Sequence, residues 1–227
     1  MAERVNVTAG RARPLNWLIF NAGFALIAAV GLVAPAPALG WRVLLLTLGY
    51  SVGIVILAVR TADPVLTSFW GALAPMSVLM VLPDWFLSAE LGTLRFPDTG
   101  APFIGTMPVF MAFMWVIALL PVMLLGWVVE QARGLATALV VVVIAGLVLF
   151  TLSEYAAPLI PLWHPQGVTE VVGVAPYVLL PEAGLTIATY LLVRGAAHRS
   201  RWATAAAVVA IPFMYLGMLC TSLQFTG

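Results

Sequence analysis

The chain has 227 residues, of which 63% are hydrophobic and 8% are charged, and its formal net charge is +1. Soluble domains carry about 25% charged residues, so this composition excludes an ordinary water-soluble fold. The chain has no run of basic residues, so we predict no nucleic-acid partner. The lone Cys220 excludes an internal disulfide. We therefore expect an all-α, polytopic integral membrane protein in the lipid bilayer.

Seven apolar segments approach the roughly twenty residues that a helix needs to cross the hydrocarbon core. We predict the spans at 15–34, 41–59, 65–86, 106–129, 135–152, 173–193 and 202–224. The ends of the third and sixth spans are the least well defined by the sequence, because prolines lie near them. A count of six or eight spans would place the C-terminus on the other side of the membrane. The sequence shows neither an internal repeat nor a linker, so residues 1–227 are predicted to form one domain.

Arginine placement predicts the orientation, because the chain contains no lysine. Most arginines fall on the side of the N-terminus, and these are Arg4, Arg11, Arg13, Arg60, Arg133, Arg194, Arg199 and Arg201. Only Arg42 and Arg95 fall on the other side. By the positive-inside rule, the N-terminus is predicted to be cytoplasmic in a multi-pass protein of the cell membrane. Without lysine, the chain also cannot carry retinal as a Schiff base.

The segment between the third and fourth spans combines turn formers with aromatic residues, namely Trp85, Phe86, Phe96 and Phe103. A solvated loop rarely carries so much aromatic surface, so we expect this segment to fold back over the helices as a cap. Arg95 is expected to pair with Glu90 or Asp98. An aromatic belt at the membrane interface, with a surface ion pair, is an equally supported alternative to a pocket-lining role.

The fourth predicted span is rich in aromatic and thioether side chains, among them Phe110, Met114 and Trp115. Such side chains suit a greasy ligand, although helix packing is the simpler explanation for any single one. Pro108 and Pro121 lie inside this predicted span, and we expect them to kink it and open a cavity. The fifth predicted span carries no polar group before Ser153 and Glu154 and is interpreted as lipid-facing scaffold.

Glu182 is the carboxyl group that the sequence places deepest in an apolar segment. It precedes Arg194 by twelve residues (194 minus 182), about 18 Å of helix, which puts it near the midplane of a core about 30 Å thick. Ionisable groups at such a depth are costly and indicate a functional site. A neutral carboxylic acid in an apolar pocket can donate a proton. A structural carboxyl hydrogen-bonded to a neighbouring helix is the alternative.

Asp84 and Glu154 are predicted at outer helix ends, where each either contacts water or joins Glu182 in a proton-sharing set. These three acids are the predicted catalytic residues. The predicted substrate-binding residues are Trp85, Trp115, Trp163, Tyr177, Phe110, Met114, Glu90 and Asp98. Aromatic faces among them could stabilise a cation that forms in the pocket.

The two histidines, and the absence of metal-binding and nucleotide-binding motifs, limit the kinds of reaction that the sequence supports. His164 lies in a proline-bounded loop and is better explained as solvated than as a base, and His198 lies among arginines and is interpreted as interfacial. The sequence contains no acidic cluster for magnesium and diphosphate, no paired-histidine metal motif and no nucleotide fingerprint. We therefore predict no metal and no cofactor, and chemistry that begins with protonation of a double bond.

Two segments are similar to known families. Residues 179–185 (Leu-Leu-Pro-Glu-Ala-Gly-Leu) resemble the Pro-x-Glu-Glu stretch of the small integral-membrane lycopene cyclases, with a single glutamate here. Residues 90–92 and 99–103, followed by Pro108 and Trp115, are similar to a stretch of the membrane carotenoid hydratases, with Ile104 interrupting the expected Phe-Gly. The size and span count also resemble the membrane terpene cyclases of meroterpenoid pathways.

These resemblances imply acid-initiated chemistry on isoprenoid double bonds, of the isomerase or lyase type. Our first hypothesis is therefore an enzyme in which Glu182 protonates a terpenoid or carotenoid alkene, with Asp84 or Glu154 assisting, to give cyclisation or hydration. A proton-coupled carrier or ligand-binding membrane protein could use the same acids as a relay. A membrane scaffold is the third possibility, and it predicts that the acids can be replaced without loss.

Overall fold

The computed structural model describes residues 13–196 and 200–226. The helices are α1 (Pro14–Val33), α2 (Leu39–Thr61), α3 (Pro64–Leu79), α4 (Val81–Trp85), α5 (Met111–Arg133), α6 (Leu135–Leu159), α7 (Leu179–Ala196) and α8 (Arg201–Thr226). A π-helical turn (Phe86–Glu90) follows α4, and a 3-10 turn (Pro176–Val178) precedes α7. Short strands form two antiparallel pairs, β1 (Leu94–Arg95) with β4 (His164–Pro165), and β2 (Phe103–Ile104) with β3 (Met107–Pro108).

Seven helical stretches in the described part of the chain are long and apolar enough to cross a membrane, with α3, α4 and the π-helical turn forming one stretch, Pro64–Glu90. The protein is therefore an all-α, multi-pass membrane protein, as the sequence predicts. The odd number of these stretches places the start of α1 and the end of α8 on opposite sides. We call the side of the α1 start the arginine side, and the side of the 91–110 and 160–175 connections the loop side. The cytoplasmic placement of the arginine side stays a prediction.

The fourth and fifth predicted spans differ most from the membrane-crossing helical stretches of the structure. The fourth begins at Met111 rather than Thr106, because residues 103–108 form the β2–β3 hairpin. Pro108 therefore lies in a strand and cannot kink the helix, whereas Pro121 does lie inside α5. The fifth continues beyond Leu152 for two further turns to the end of α6, which makes Glu154 an interior helix residue rather than a terminal one.

Helix α7 lies in the middle of the bundle, where it contacts α3, α5, α6 and α8. Two glycines let its neighbours approach closely. A methyl group added at Gly126 on α5 would lie 2.4 Å from Val142 and 2.7 Å from Tyr190, and one at Gly146 on α6 would lie 2.4 Å from Thr186. Small residues at such contacts are the usual means of close helix packing in membranes, where dispersion contacts replace the hydrophobic effect.

Helix α6 has one face directed at lipid. Val140, Ile144, Val148 and Leu152 follow one another at four-residue intervals, and each is more than half exposed. This face confirms the scaffold interpretation for the middle of α6. The last turns differ, because Ser153 and Glu154 are turned towards the bundle.

Asp63 joins α1 to the rest of the bundle on the arginine side. Its fully buried carboxylate caps α3 by accepting the backbone N–H groups of Val65 and Leu66, at 3.0 and 3.1 Å. Its second oxygen accepts the indole N–H of Trp17 at 2.9 Å and the backbone N–H of Arg13 at 3.1 Å. A buried charge is tolerated when hydrogen bonds satisfy it in this way, so Asp63 has a structural role.

We expect Asp63→Ala to lower the free energy of unfolding by about 2 kcal/mol, because it removes a helix cap and leaves the Trp17 N–H buried without an acceptor. Thermal unfolding of the purified protein in detergent measures this. Asp98→Ala is the matched control, since Asp98 is exposed and, among the described residues, accepts only the Gly100 N–H. Equal stability of the two variants would contradict the structural role of Asp63.

Candidate active site

A cavity of about 100 Å³ lies in the loop-side half of the bundle, between α4, α5, α6, α7 and α8. All three predicted catalytic acids line it: Asp84 from α4, Glu154 from α6 and Glu182 from the first turn of α7. These acids are far apart in sequence, and they come together because α7 packs against α6 and because α4 and α7 both pack against α8. Asp84 is only 4% exposed, so its alternative interpretation as a solvated helix end is wrong.

Two of the acids each accept an indole N–H. The Nε1 of Trp115 donates to Oδ2 of Asp84 at 2.9 Å, and the Nε1 of Trp163 donates to Oε1 of Glu154 at 3.0 Å. An indole N–H can only donate, so each tryptophan fixes one carboxyl oxygen and leaves the other available. The two tryptophans, both predicted to bind substrate, therefore also orient the acids.

Glu182 differs from the other two acids in its hydrogen bonding. It is 3% exposed, and its Oε2 has no hydrogen-bond partner among the described residues. Glu154 lies close enough to both Asp84 and Glu182 for their charges to interact. An ionised carboxylate costs far more than a neutral acid in a buried place without donors, so Glu182 is the member of the set best suited to carry a proton.

Aromatic rings line the cavity beside the carboxyl groups. The ring of Trp115 lies 5.7 Å from that of Phe150 and 5.6 Å from that of Tyr215, the latter edge-on. Tyr177 lines the cavity as predicted, and so does Met114. Phe150 and Tyr215 also line the cavity, and neither is among the residues predicted from the sequence. A tyrosine inside an apolar span is a usable signal, since a buried phenol needs a polar neighbour.

Two loop segments close the cavity on the loop side, and we call residues 93–96 and 163–166 the cap. Leu94 and Pro165 pair across β1 and β4, and both line the cavity. The cap is held to the helices by the Trp163–Glu154 hydrogen bond and by Tyr177, whose hydroxyl donates to Oγ1 of Thr93 at 3.3 Å. The structure thus confirms that the connection after the third span folds back over the helices.

Four predicted substrate-binding residues lie outside the cavity. Trp85 follows Asp84 directly, and successive helical residues point about 100° apart, so Asp84 faces inwards while Trp85 is 38% exposed. Phe110 is fully buried in a second apolar cluster beneath the β2–β3 hairpin. Glu90 and Asp98 are exposed in the connection that follows α4.

The predicted pairing of Arg95 is also wrong. Arg95 is exposed in β1 opposite His164, and within the described ranges it forms no ion pair with Glu90 or Asp98. His164 does not line the cavity, and His198 lies outside the described residues. No group of three metal-binding side chains is close enough to hold an ion in the part of the chain that the structure describes.

Glu130 lies at the arginine side, outside the cavity. In contrast to the cavity acids, it has a hydrogen-bond donor on each of its carboxyl oxygens. Its Oε2 accepts the Tyr190 hydroxyl at 2.6 Å, and its Oε1 accepts the Nε–H of Arg194 at 2.7 Å. Both oxygens of Glu130 are therefore satisfied across the α5–α7 contact. No arginine lines the cavity among the described residues, so the cavity acids have no such partner.

We expect Trp163→Phe to speed hydrogen exchange in the cap by about tenfold, because it removes the hydrogen bond to Glu154 while keeping an aromatic ring. Exchange measured by mass spectrometry in detergent tests this for residues 163–166 and 93–96. Trp85→Phe is the matched control, since Trp85 lies outside the cavity. Unchanged exchange in Trp163→Phe would show that the cap is held by other contacts.

Comparison with known proteins gives one family match. The family described as "Domain of unknown function (DUF6989)" matches residues 81–226, more than half of the chain. No curated protein and no solved structure matches. The matched region runs from α4 to α8 and contains every residue that lines the cavity, whereas α1, α2 and α3 precede it. The chain belongs to the DUF6989 family.

Proposed function

We propose that this protein is a membrane-embedded enzyme that protonates a double bond of an isoprenoid, a terpenoid or carotenoid, and so gives cyclisation or hydration. The observation that carries the proposal is the convergence of three carboxyl groups in one aromatic-lined cavity, with a Glu182 oxygen that has no hydrogen-bond partner in the described part of the chain. This arrangement combines a proton donor with surroundings that favour a cation.

In this proposal Glu182 is the acid. Its O–H bond breaks as a C–H bond forms at one carbon of the alkene, and the neighbouring carbon becomes cationic. The cation lies among the rings of Trp115, Phe150 and Tyr215, whose faces attract positive charge. The carboxylate left on Glu182 and those of Asp84 and Glu154 add electrostatic stabilisation in a site of low dielectric.

Asp84 and Glu154 are the proposed bases that complete the reaction. In cyclisation, a second double bond attacks the cation, a C–C bond forms, and a carboxylate takes the proton lost from carbon. In hydration, water attacks the cation and loses its extra proton to the same carboxylate. The proton then returns to Glu182, and Glu154 is the proposed intermediate carrier because its charge interacts with those of both other acids.

The family resemblances favour this reaction class. The segment similar to lycopene cyclases contains Pro181 and Glu182, and Glu182 lines the cavity. Of the segment similar to carotenoid hydratases, Trp115 lines the cavity, whereas residues 90–92 and 99–103 lie outside it. The geometry therefore gives more support to the cyclase-like stretch than to the hydratase-like one.

Co-expression with pathways for linear isoprenoids tests the proposal. Hosts that make a linear carotenoid, and hosts that make linear terpenoids, receive the wild-type gene or an empty vector, and lipid extracts are compared by chromatography and mass spectrometry. We expect an isomer of unchanged mass or a product heavier by one water. Unchanged extracts from the carotenoid and terpenoid hosts, with the protein present in the membrane, would overturn the proposed substrate class.

A further inference from the structure

We propose that the cavity binds a small protonated amine with apolar substituents, such as an alkyldimethylammonium ion. The inference deepens the proposed function and rests on it in one respect, because the ammonium ion would take the place of the reaction's cation. It extends that function by assigning a stable ligand class to the site, one that can be measured by binding alone.

The charge of the cavity favours a cation. Three carboxyl groups line it, and neither an arginine nor a histidine does so among the described residues. The described ion pair of this protein, Arg194 with Glu130, lies at the other end of α7. Glu182 is the proposed proton carrier, so the negative charge of the cavity is that of the Asp84 and Glu154 carboxylates. This charge has no protein counterpart in a buried site, and it attracts a cationic ligand, whose presence in turn favours the ionised form of Glu182.

Hydrogen bonding favours a cation that carries an N–H group. Glu182 lines the cavity, is 3% exposed, and has an oxygen without a donor. Asp84 and Glu154 each receive one indole N–H and retain acceptor capacity on the other oxygen. A protonated amine supplies the missing donor, and charge-assisted hydrogen bonds of this kind are short and strong.

The apolar wall and the size of the cavity define the rest of the ligand. The rings of Phe150 and Tyr215 each adjoin the ring of Trp115, and the faces of aromatic rings attract the N-methyl groups of a cation. A volume of about 100 Å³ exceeds what one water molecule needs several times over, and it accommodates a head group of a few heavy atoms. A dimethylammonium head group meets both conditions.

Binding of N,N-dimethylhexylamine tests the inference, with N,N-dimethylhexanamide as the neutral ligand of equal carbon count. The full chain is reconstituted in phosphatidylcholine nanodiscs, and calorimetric titrations are corrected with empty nanodiscs. We expect the amine to bind about tenfold more tightly than the amide. We also expect Glu182→Gln to weaken amine binding about tenfold, while the exposed loop variant Glu170→Gln leaves it unchanged.

Equal affinity for amine and amide, or amine binding that Glu182→Gln leaves intact, would overturn the inference. If Glu182→Gln fails to fold, Phe150→Leu provides the second test, since it removes an aromatic face. It should weaken binding of the amine and leave binding of the amide unchanged. A co-expression product without amine binding refutes this inference alone. Amine binding with no product in any host refutes the proposed reaction and leaves the binding site.

Discussion

Replacing Glu182 with glutamine is expected to lower product formation in the co-expression assay by at least about a hundredfold, the lower range for loss of a general acid. Glutamine keeps the size of the side chain and its hydrogen-bonding groups but has no acidic proton. Because the Glu182 carboxyl is buried against the cavity without a partner on Oε2, the exchange should disturb few protein contacts. Product measured per amount of membrane-bound protein gives the ratio.

Glu170→Gln controls for the chemistry of the exchange, since Glu170 is exposed in the 160–175 connection and does not line the cavity. It should retain full product formation. Product formation that persists in Glu182→Gln would support an enzyme but would assign Glu182 a structural role. Asp84→Asn and Glu154→Gln would then identify the proton donor. Loss of product in the Glu170 variant as well would make the assay uninformative about acid catalysis.

Gly126→Val is expected to destabilise the protein by about 3 kcal/mol, near the upper range for overpacking a tight contact. The first carbon of the new side chain would lie 2.4 Å from Val142 on α6 and 2.7 Å from the Tyr190 ring on α7. A methyl group and a ring in a packed contact cannot yield without separating the helices. Reversible unfolding in mixed micelles, or thermal unfolding in detergent, measures the loss.

Gly49→Val is the matched control, because Gly49 faces outwards from α2 with nothing within 4 Å of an added methyl group. The two variants share the same change in helix propensity, so the difference between their free energies of unfolding measures the contribution of packing at Gly126. If both variants unfold alike, the close approach of α5 to its neighbours contributes little. We expect only the Gly126 variant to lose stability.

The fold was predictable because lipid imposes a simple rule. Backbone groups without access to water must pair within the segment, so apolar stretches of sufficient length become helices. The errors arose where this rule gives no information. Nothing in hydropathy separates the β2–β3 hairpin from the helix that follows, since Phe103 and Met107 are as apolar as the start of α5.

The acids of the site were predictable for the same reason, since Glu182, Asp84 and Glu154 stand out against apolar surroundings and all three line the cavity. Aromatic residues were not, because they are as suited to packing as to binding. Phe110 packs beneath the hairpin, whereas Tyr215, from near the far end of the chain, lines the same cavity as the acids. Only the way in which α8 packs in the bundle distinguishes them.

The hydrogen bond between Trp163 and Glu154 gives one side chain two duties, since Glu154 both fastens the cap and belongs to the acid set. A charged acceptor holds an N–H more firmly than a neutral one. Under the proposed reaction, Glu154 is neutral only in the interval between taking the proton from the product and passing it on. The cap would then be held most weakly when the product is ready to leave, so the protonation of Glu154 would coincide with product release. Glu154→Gln has an uncharged acceptor at all times, so hydrogen exchange in the cap of this variant measures the weakly held state.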